Sequence, residues 1–553
     1  MNSYFKSILL FVFTAVLFFY FGSQTDMLKP AHHFVQTSSR LIGLEFTDAE
    51  SDSMQSGIEE NLADYNKIRE AAPHNSIPPA VNFNPVPAGF KFKTDFRKAL
   101  YSPARQTQVP ENFEELAFYS VRDLGELIRR RKITSLQLTQ LYLDRIKKYD
   151  PKLKCVVTLT EELALQQAEQ ADEEIASGNF RGPLHGIPYG AKDLLAVKGY
   201  KTTWGAEPYK DQVIDEDAVV IEKLEEAGAV LIAKLTLGAL AWGDVWFADT
   251  TRNPWNLKQG SSGSSAGPAS AAAAGLVGFS IGSETWGSIV SPSTRCGTTG
   301  LRPTYGRVSR TGAMALSWTM DKIGPICRTV EDCALVFEAI IGADGIDQTL
   351  IDLPFNYNCK IDYKNLRIGY LKELFEKDYP NKEADQAVLE KFKELGSELT
   401  AIELPDMPVR PLSFILSAEA AAAFDELTRS GKDDLMVRQI KNAWPNVFRT
   451  SRLIPAVEYI QANRLRYQLI QEMQKVMEKV DLYISPSFGG NNLLLTNLTG
   501  HPCVVLPNGF NEKGSPVSIT FIGRLYDEAM LLAAAKKYQD NTDFHLQYPP
   551  MFN

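Results

Sequence analysis

Along most of the chain, apolar residues recur in the periods of helices and of buried strands. From Phe113 onwards, helical patterns begin at cap residues, with Ser120 before one helix and Thr134 before the next, which is expected to run to about Tyr149. Short apolar runs between the helices are typical of buried strands. The clearest are residues 229–233 (AVLIA), which follow a predicted helix over 217–227, and residues 500–507 (GHPCVVLP). Helices that alternate with buried strands predict a layered α/β body. No break in composition divides residues 113–545, so we expect one large domain there.

Residues 25–112 have a different pattern. Thr47 and Glu50 have the spacing of a helix capping box, and a helical apolar period follows them. Its members are Met54, Ile58, Leu62 and Tyr65. A proline-bearing stretch, residues 76–87 (SIPPAVNFNPVP), comes next. The pattern predicts a packed helix and then an irregular arm that wraps the larger body. The alternative, a disordered linker, fits a capped amphipathic helix poorly.

The first residues carry a targeting pattern. Lys6 precedes an unbroken apolar run over residues 8–21, a combination typical of a secretory signal. The run is short for a membrane-spanning helix, which needs about 20 apolar residues, and large residues occupy the small-residue positions of a cleavage site. The alternative, a buried core helix, would be in an unusual place at the extreme N-terminus. We therefore predict that residues 1–24 are a signal peptide or an N-terminal membrane anchor. The expected location is periplasmic or otherwise extracytoplasmic, with membrane association through residues 8–21.

Composition and charge exclude several classes of function. The chain of 553 residues has a net charge of -9 and no long basic run, so we expect no nucleic-acid partner. Its six cysteines are scattered without a CxxC pair, which argues against a disulfide framework and favours small buried side chains. No cluster of Cys and His has metal-ligand spacing. We therefore expect neither a metal nor another cofactor.

A serine-rich segment, residues 259–268 (QGSSGSSAGP), has the composition of a flexible linker. However, an RNPWN turn precedes it, and an alanine-rich run leads from it into an apolar strand, so both of its ends are fixed. A phosphate-binding loop would need Lys and then Ser or Thr after its last glycine, and here Pro268 follows Gly267. What remains is a tight turn at the start of a helix, where N–H groups and hydroxyls can be presented to a ligand.

A second glycine and hydroxyl cluster, residues 282–292 (GSETWGSIVSP), lies at the end of the apolar strand. Upstream, Lys192 stands among small and apolar residues in 186–193 (GIPYGAKD). An exposed surface lysine is the simpler interpretation. Burial in an apolar turn would instead lower the pKa of Lys192 from about 10.4 towards neutrality. A neutral amine can act as a base.

In these three motifs the chain resembles the amidase signature enzymes, over roughly residues 113–539. The family's lysine motif is similar to GIPYGAKD, and its two serine motifs are similar to GSSAGPASAAAAG and GSETWGSIVSP. Residues 296–310 (CGTTGLRPTYGRVSR) continue the signature. The resemblance implies the amidase signature fold. This is an α/β fold with a large, mostly parallel or mixed sheet flanked by helices on both faces, here with an N-terminal helical extension.

The resemblance also implies a Ser–Ser–Lys triad. Lys192 matches the family's base and Ser288 its nucleophile. The bridging serine precedes the nucleophile by 24 residues in familiar members, and 288 − 264 = 24 selects Ser264. The family holds this serine through a cis peptide, here Gly263–Ser264. The oxyanion of the reaction is expected to meet the main-chain N–H groups of Thr285, Trp286, Gly287 and Ser288.

By this resemblance the protein is expected to hydrolyse a carboxylic amide, of a small molecule or a peptide, through an acyl-enzyme on Ser288. A homodimer is compatible with this expectation. Three residues depart from the family and concern the substrate. Val290 stands where members that act on glutamine in tRNA-linked transamidation carry Arg, Glu284 stands where Asp is common, and Trp286 replaces a small residue. Three aromatic residues before the RNPWN turn are candidates for an apolar acyl pocket or for core packing: Trp242, Trp246 and Phe247.

Three other functions are left open. A Ser–His hydrolase would use His185, although none of the six histidines accompanies a GxSxG motif. A glutamine-amidotransferase A-type subunit for tRNA-linked transamidation is the second alternative, which Val290 and the predicted export signal oppose. A non-enzymatic, membrane-tethered binding protein that has kept the fold is the third, and it would not need the complete set of Lys192, Ser264 and Ser288.

Overall fold

The computed structural model describes residues 32–70, 74–362 and 365–552. The apolar run predicted as an export signal, residues 8–21, lies outside these ranges. Within them, no helix is both long and apolar enough to cross a membrane. The described residues form two compact units. One contains the residues up to His74 together with Leu453–Glu458, and the other contains Asn75–Arg452 and the residues from Tyr459 onwards. The boundaries expected after residues 24 and 112 stay predictions.

The first unit contains helices α1 (His32–Arg40) and α2 (Asp48–Glu70). A capping box begins α2: the Thr47 N–H donates to Glu50 Oε2 (2.8 Å) and the Glu50 N–H donates to Thr47 Oγ1 (3.3 Å). The apolar period predicted a packed helix, but the side chains of Ile58, Leu62 and Tyr65 are exposed. Helical periodicity shows which face of a helix is apolar, and it does not show whether the chain supplies a partner for that face.

In the second unit, two helices begin at their predicted caps. Ser120 Oγ accepts the Asp123 N–H (3.0 Å) at the start of α3 (Val121–Arg129). Thr134 forms a capping box at the start of α4 (Ser135–Leu153), which continues beyond its predicted end at Tyr149. The remaining α-helices of the described chain are α5 (Glu161–Ala176), α6 (Val219–Glu226), α7 (Ala266–Ala273), α8 (Val290–Cys296), α9 (Val330–Ile340), α10 (Lys372–Glu376), α11 (Lys382–Glu394), α12 (Phe414–Ala423), α13 (Asp425–Arg429), α14 (Trp444–Ser451), α15 (Ala456–Met477), α16 (Asn492–Leu498) and α17 (Glu528–Asp540).

Most of the strands build one large sheet. The strands are β1 (Val156–Leu159), β2 (Pro188–Lys192), β3 (Val230–Leu235), β4 (Arg252–Asn253), β5 (Asn256–Gly260), β6 (Phe279–Glu284), β7 (Thr299–Arg302), β8 (Lys322–Cys327), β9 (Ile368–Leu371), β10 (Leu399–Ile402), β11 (Leu482–Pro486), β12 (Cys503–Phe510) and β13 (Pro516–Gly523). Eleven of the strands lie in the order β1-β3-β2-β6-β8-β7-β12-β13-β11-β9-β10, and β4 and β5 form a separate hairpin at the RNPWN turn.

The sheet is mixed, because β2 is parallel to β3 and β6, and β9 is parallel to β10 and β11, whereas the other neighbouring pairs are antiparallel. The fold class is therefore confirmed in its mixed form. The apolar runs predicted as strands correspond to β3 and β12, and the helix predicted before β3 is α6.

The parallel neighbours β2 and β6 position the candidate site. Tyr189 lies opposite Phe279 in their register, and the two rings stack with their centroids 5.1 Å apart. Helix α7 packs against both strands. Because parallel strands run in the same direction, their carboxyl ends meet at one edge of the sheet, where ligand sites of α/β proteins are usually found. Lys192 ends β2 and Glu284 ends β6 at this edge.

Candidate active site

Lys192 lies buried at the carboxyl edge of the sheet. Its Nζ atom is 2.8 Å from Ser264 Oγ, 3.1 Å from Ser265 Oγ and 2.9 Å from Ser283 Oγ. Among the described residues, no carboxylate lies within ion-pair distance of this amine. The amine is therefore surrounded by hydroxyl groups, with no counter-ion among the side chains that the structure describes.

These surroundings favour the neutral form of the amine. Burial lowers the pKa of Lys192 to about 7, although the Asp321 and Glu284 carboxylates act in the opposite direction. A lysine in water has a pKa of about 10.4 and is almost wholly protonated at neutral pH. A large fraction of Lys192 is therefore able to accept a proton near pH 7.

A second buried lysine shows the contrast. The amine of Lys234 lies 2.8 Å from the carboxylate of Asp193, and both side chains are fully buried. The other oxygen of Asp193 accepts the N–H of Thr203 (2.9 Å). Asp193 directly follows Lys192, so this ion pair fixes the end of β2 while leaving Lys192 itself unpaired.

The first serine cluster forms the loop between β5 and α7. Its Gly263–Ser264 peptide bond is cis. A Cβ atom on Gly263 would lie 1.8 Å from the carbonyl oxygen of Gly243, so only glycine fits there. The Ser261 hydroxyl donates to the main-chain carbonyl of the next residue (3.0 Å) and forms no hydrogen bond with Lys192. Of the two GSS sequences, the second therefore contacts the lysine.

Ser288 lies half-buried in the turn between β6 and α8. Its carbonyl oxygen accepts the N–H of Ser265 (3.1 Å), which ties this turn to the residue after Ser264. Within the described residues, no hydrogen bond joins the hydroxyls of Ser288 and Ser264. The structure thus brings Lys192 and Ser264 into direct contact and holds Ser288 beside them through the main chain.

The predicted oxyanion donors lie in the same turn: Thr285, Trp286, Gly287 and Ser288. In the part of the chain that the structure describes, none of their main-chain N–H groups donates to another protein group. The hydroxyl of Thr285 donates to Asp321 Oδ1 (2.5 Å). The other oxygen of Asp321 accepts two further N–H groups, from Leu316 (2.8 Å) and Ser317 (2.9 Å). Asp321 therefore fixes the first residue of the turn, and the four main-chain N–H groups of the turn stay available to a ligand.

Glu284 fixes the other end of this turn. Its Oε2 atom accepts the N–H groups of Ile289 (2.8 Å) and Val290 (3.0 Å), and its Oε1 atom accepts Arg302 Nη1 and Asn497 Nδ2 (2.8 Å each). Burial disfavours the charged carboxylate, but Arg302 and these hydrogen bonds prevail and lower the pKa of Glu284 to about 2. Glu284 therefore stays ionised at neutral pH and holds the residues that follow Ser288.

The other two departures from the family also lie at this turn. Val290 begins α8 and is buried. The ring of Trp286 is half-buried, and the guanidinium of Arg410 lies 5.0 Å from its centroid, within the range of a cation–π contact. A positive charge near the nucleophile turn thus comes from Arg410, and not from residue 290.

The three aromatic pocket candidates lie in two environments. The guanidinium of Arg438 lies 4.4 Å from the ring centroid of Trp242. Trp246 is buried and contacts Phe247 edge to face, with centroids 4.9 Å apart. These contacts favour core packing for Trp246. Trp242 lies beside the serine loop, because the next residue, Gly243, contacts Gly263 of that loop.

His185 lies at the opposite end of β2 from Lys192. Its Nδ1 atom accepts the N–H of Arg181 (3.1 Å), and its Nε2 atom is 3.4 Å from the carboxylate of Glu174. Burial lowers the pKa of His185. Among the described residues, no hydrogen bond connects His185 with a serine, so its position offers no support to a Ser–His pair.

Side chains that could hold a metal are dispersed. In the described ranges, no group of three or more His, Cys, Asp or Glu residues is arranged around one point. All six cysteines carry free thiols, and all except Cys359 are buried.

Sequence reasoning missed three side chains of the site, namely Ser265, Ser283 and Asp321. The two serines stand inside the quoted motifs, but residue spacing does not show which hydroxyls turn towards the lysine. Asp321 is 36 residues from Thr285 in the chain. The signal that could have found it is the family-like segment MDKIGP (residues 320–325), although nothing in that segment points to Thr285.

Comparison with known proteins agrees with the motifs. The family model Amidase matches residues 137–495. The A-type subunit of glutamyl-tRNA(Gln) amidotransferase from Moorella thermoacetica is 34% identical over 484 residues, which cover 79% of this chain and 99% of that protein. The protein of the same name from Marinomonas sp. is 33% identical over 480 residues, covering 78% of this chain and 98% of that protein.

Solved structures give the same result. The native peptide amidase from Stenotrophomonas maltophilia superposes with a TM-score of 0.71 and 27% identity, over 78% of this chain and 98% of that one. An amidase family protein from Bacillus anthracis has a TM-score of 0.70 and 26% identity, over 79% of this chain and 93% of that one. The sheet and its motifs thus define an amide-cleaving hydrolase. The chain belongs to the amidase signature family.

Proposed function

We propose that the protein hydrolyses a carboxylic amide through an acyl-enzyme on Ser288, with Ser264 and Lys192 as the proton relay. The observation that carries the proposal is the Lys192 amine, which is buried without a counter-ion 2.8 Å from Ser264 Oγ. Its pKa of about 7 suits a general base at neutral pH. The similar proteins include amidases and an amidotransferase, which supports amide cleavage as the reaction class.

In the acylation step, Ser288 Oγ attacks the carbonyl carbon of the amide. The hydroxyl proton of Ser288 passes to Ser264, and the proton of Ser264 passes to Lys192, since a hydroxyl can both donate and accept. The carbonyl oxygen becomes an oxyanion that the N–H groups of residues 285–288 stabilise, each by about 3 kcal/mol. As the C–N bond breaks, the relay runs backwards and protonates the leaving nitrogen. An ester on Ser288 and a free amine or ammonia result.

In the deacylation step, water takes the place of the leaving amine. Lys192, again neutral, accepts a proton from the water through Ser264, and the resulting hydroxide attacks the ester carbonyl. The ester bond breaks, Ser288 recovers its proton from the relay, and a carboxylic acid leaves.

A second candidate function follows from the names of the relatives. Proteins that are 33–34% identical over 98–99% of their own length bear the name of the A-type subunit of glutamyl-tRNA(Gln) amidotransferase. In that role the chain would cleave glutamine by the same steps and pass ammonia to a tRNA-linked acceptor. Val290, which is apolar and buried in α8, favours the first candidate.

The two functions are separated by the substrates that the purified full chain cleaves alone. The full chain is incubated with glutamine and with a panel of small-molecule and peptide amides, and released ammonia or amine is measured. Quenched samples are digested, and the peptide that contains Ser288 is weighed by mass spectrometry. We expect turnover of amides other than glutamine and an added acyl mass on that peptide.

The variant Ser288→Ala is expected to lose both signals. Ser291→Ala is the matched control, because Ser291 lies in the same cluster and its hydroxyl is bonded to that of Ser262 (2.7 Å). Cleavage of glutamine alone would select the amidotransferase function. A correctly folded chain that cleaves no amide and carries no acyl group would refute the first candidate.

A further inference from the structure

A cavity of about 300 Å³ opens beside the proposed triad. Leu194, two residues after Lys192, lines it, and so do Ser283 and Thr285. Ser283 Oγ lies 2.9 Å from Lys192 Nζ, and Thr285 begins the turn that carries Ser288. The cavity therefore reaches to within one side chain of the groups that we expect to react.

Three of the charged side chains in the walls of this cavity are bonded to protein groups, and Glu216, also in the lining, is exposed. The Arg310 guanidinium lies 3.0 Å from the carboxylate of Asp347, and both oxygens of Asp321 accept hydrogen bonds from the protein. The apolar members of the walls include Leu194, Met314, Leu316, Trp318 and Ile323. An anionic group on a ligand would lose its hydration here without gaining a free counter-ion, and away from the exposed Glu216 the same holds for a cationic group, whereas an apolar group would gain from burial.

Residues 75–78 of the N-terminal arm complete the wall. Asn75 holds them in place, because its side-chain NH2 donates to the carbonyls of Ala315 (3.0 Å) and Ala423 (3.2 Å). The Oδ1 atom of Asn75 accepts the Ala315 N–H (2.9 Å). Ile77 lines the cavity and is 55% exposed, so it stands at the rim. The family match begins only at residue 137, so the arm is an addition to the matched part of the fold.

We propose that this cavity binds an apolar, uncharged substituent of the amide substrate, and that residues 75–78 set the size of the substituent that is accepted. The inference rests on the proposed amide hydrolysis. Binding can be measured without turnover, so the two proposals fail separately.

The experiment uses the full chain with Ser288→Ala and a series of primary amides of straight-chain carboxylic acids of increasing length. Isothermal titration calorimetry gives the Kd of each amide. A buried methylene contributes enough free energy to lower Kd about fourfold. We therefore expect Kd to fall about fourfold with each added methylene until the cavity is full, and then to stop falling.

Substitutions in the arm test its part in the size limit. Ile77→Trp places a larger side chain at the rim and should remove the gain for the longer amides, while the shortest amide keeps its Kd within about twofold. Val81→Trp is the matched control, since Val81 is 82% exposed in the same arm and does not line the cavity. Asn75→Ala removes the anchor of the arm and should let Kd continue to fall beyond the chain length at which it stops falling with the arm intact.

The outcomes divide clearly. A Kd that does not depend on chain length overturns the apolar cavity. If Ile77→Trp and Asn75→Ala each bind every amide of the series with the same Kd as Val81→Trp does, the role of the arm is overturned. A length-dependent Kd, together with a wild-type chain that cleaves none of the amides, leaves the cavity standing and defeats the proposed hydrolysis.

Discussion

Lys192 should give amide hydrolysis a characteristic dependence on pH. Burial lowers the pKa of its amine from the ordinary 10.5 to about 7, which corresponds to about 5 kcal/mol in favour of the neutral form. At pH 7, about half of the molecules then hold a neutral amine, compared with about one in 3,000 for an unperturbed lysine. Because only the neutral amine can accept a proton, kcat/KM should rise with pH through about 7 and fall about tenfold for each pH unit below it.

The assay measures the initial rate of amine release at low substrate concentration from about pH 5 to pH 9. Lys192→Arg keeps the positive charge but cannot release its proton in this range, so it should be as inactive as Lys192→Ala. His185→Asn is the matched control, because an Asn side chain can still accept the N–H of Arg181 that His185 accepts now. Its pH profile should keep the midpoint of the wild type.

Three results would refute this account of the base. The first is an active Lys192→Arg enzyme, and the second is a kcat/KM that stays flat from about pH 5 to pH 8. The third is a pH limb that disappears in His185→Asn, which would assign the base to the histidine and the reaction to a Ser–His mechanism.

Ser288→Ala should abolish hydrolysis with an unchanged circular-dichroism spectrum, and turnover above background would contradict the assignment of the nucleophile. Ser264→Ala should lower kcat at least about 100-fold. Ser261→Ala should lower kcat much less, because the Ser261 hydroxyl bonds only a main-chain carbonyl. A larger loss in Ser261→Ala than in Ser264→Ala would place the relay in the first GSS. Glu284→Gln should lower the free energy of unfolding in urea by about 3–5 kcal/mol, since it leaves the buried charge of Arg302 unpaired, and a loss under about 1 kcal/mol would contradict this. The stabilising effect of the Glu284 carboxylate should be complete above its unfolded pKa of about 4.3 and disappear as the pH falls towards its folded pKa of about 2.

The elements of the fold could be predicted where their signals are local. Caps at Ser120 and Thr134 fixed two helix starts, and a short apolar run predicted β3. The order of the strands could not be predicted from such signals, because β12 lies between β7 and β13 and pairs with residues about 200 positions earlier in the chain. The exposed apolar face of α2 was missed for a related reason, since periodicity does not identify what covers a face.

In the candidate site, too, the residues in local motifs could be predicted and those placed by distant contacts could not. Lys192, Ser264 and Ser288 stand in short motifs whose spacing could be matched to a family. Ser283 contacts the lysine only because two parallel strands end together, and Asn75 reaches Ala315 across 240 positions. These contacts depend on the completed tertiary structure. Serine and asparagine are common residue types, so neither Ser283 nor Asn75 stands out in the sequence as part of the site.

The hydrogen bond between Glu284 and Asn497 joins residues that are 213 positions apart, and this separation has a consequence for synthesis. A ribosome adds about 5–20 residues per second, so roughly 10–40 s pass between the two residues. During this interval the chain already contains Lys192, Ser264 and Ser288, but the carboxylate that holds the turn of Ser288 lacks its amide partner. Strand β7 also presents an unpaired edge until β12 has emerged. The hydrogen bonds that hold the end of the nucleophile turn are therefore complete, and the edge of β7 is covered, only when nearly the whole chain has been made.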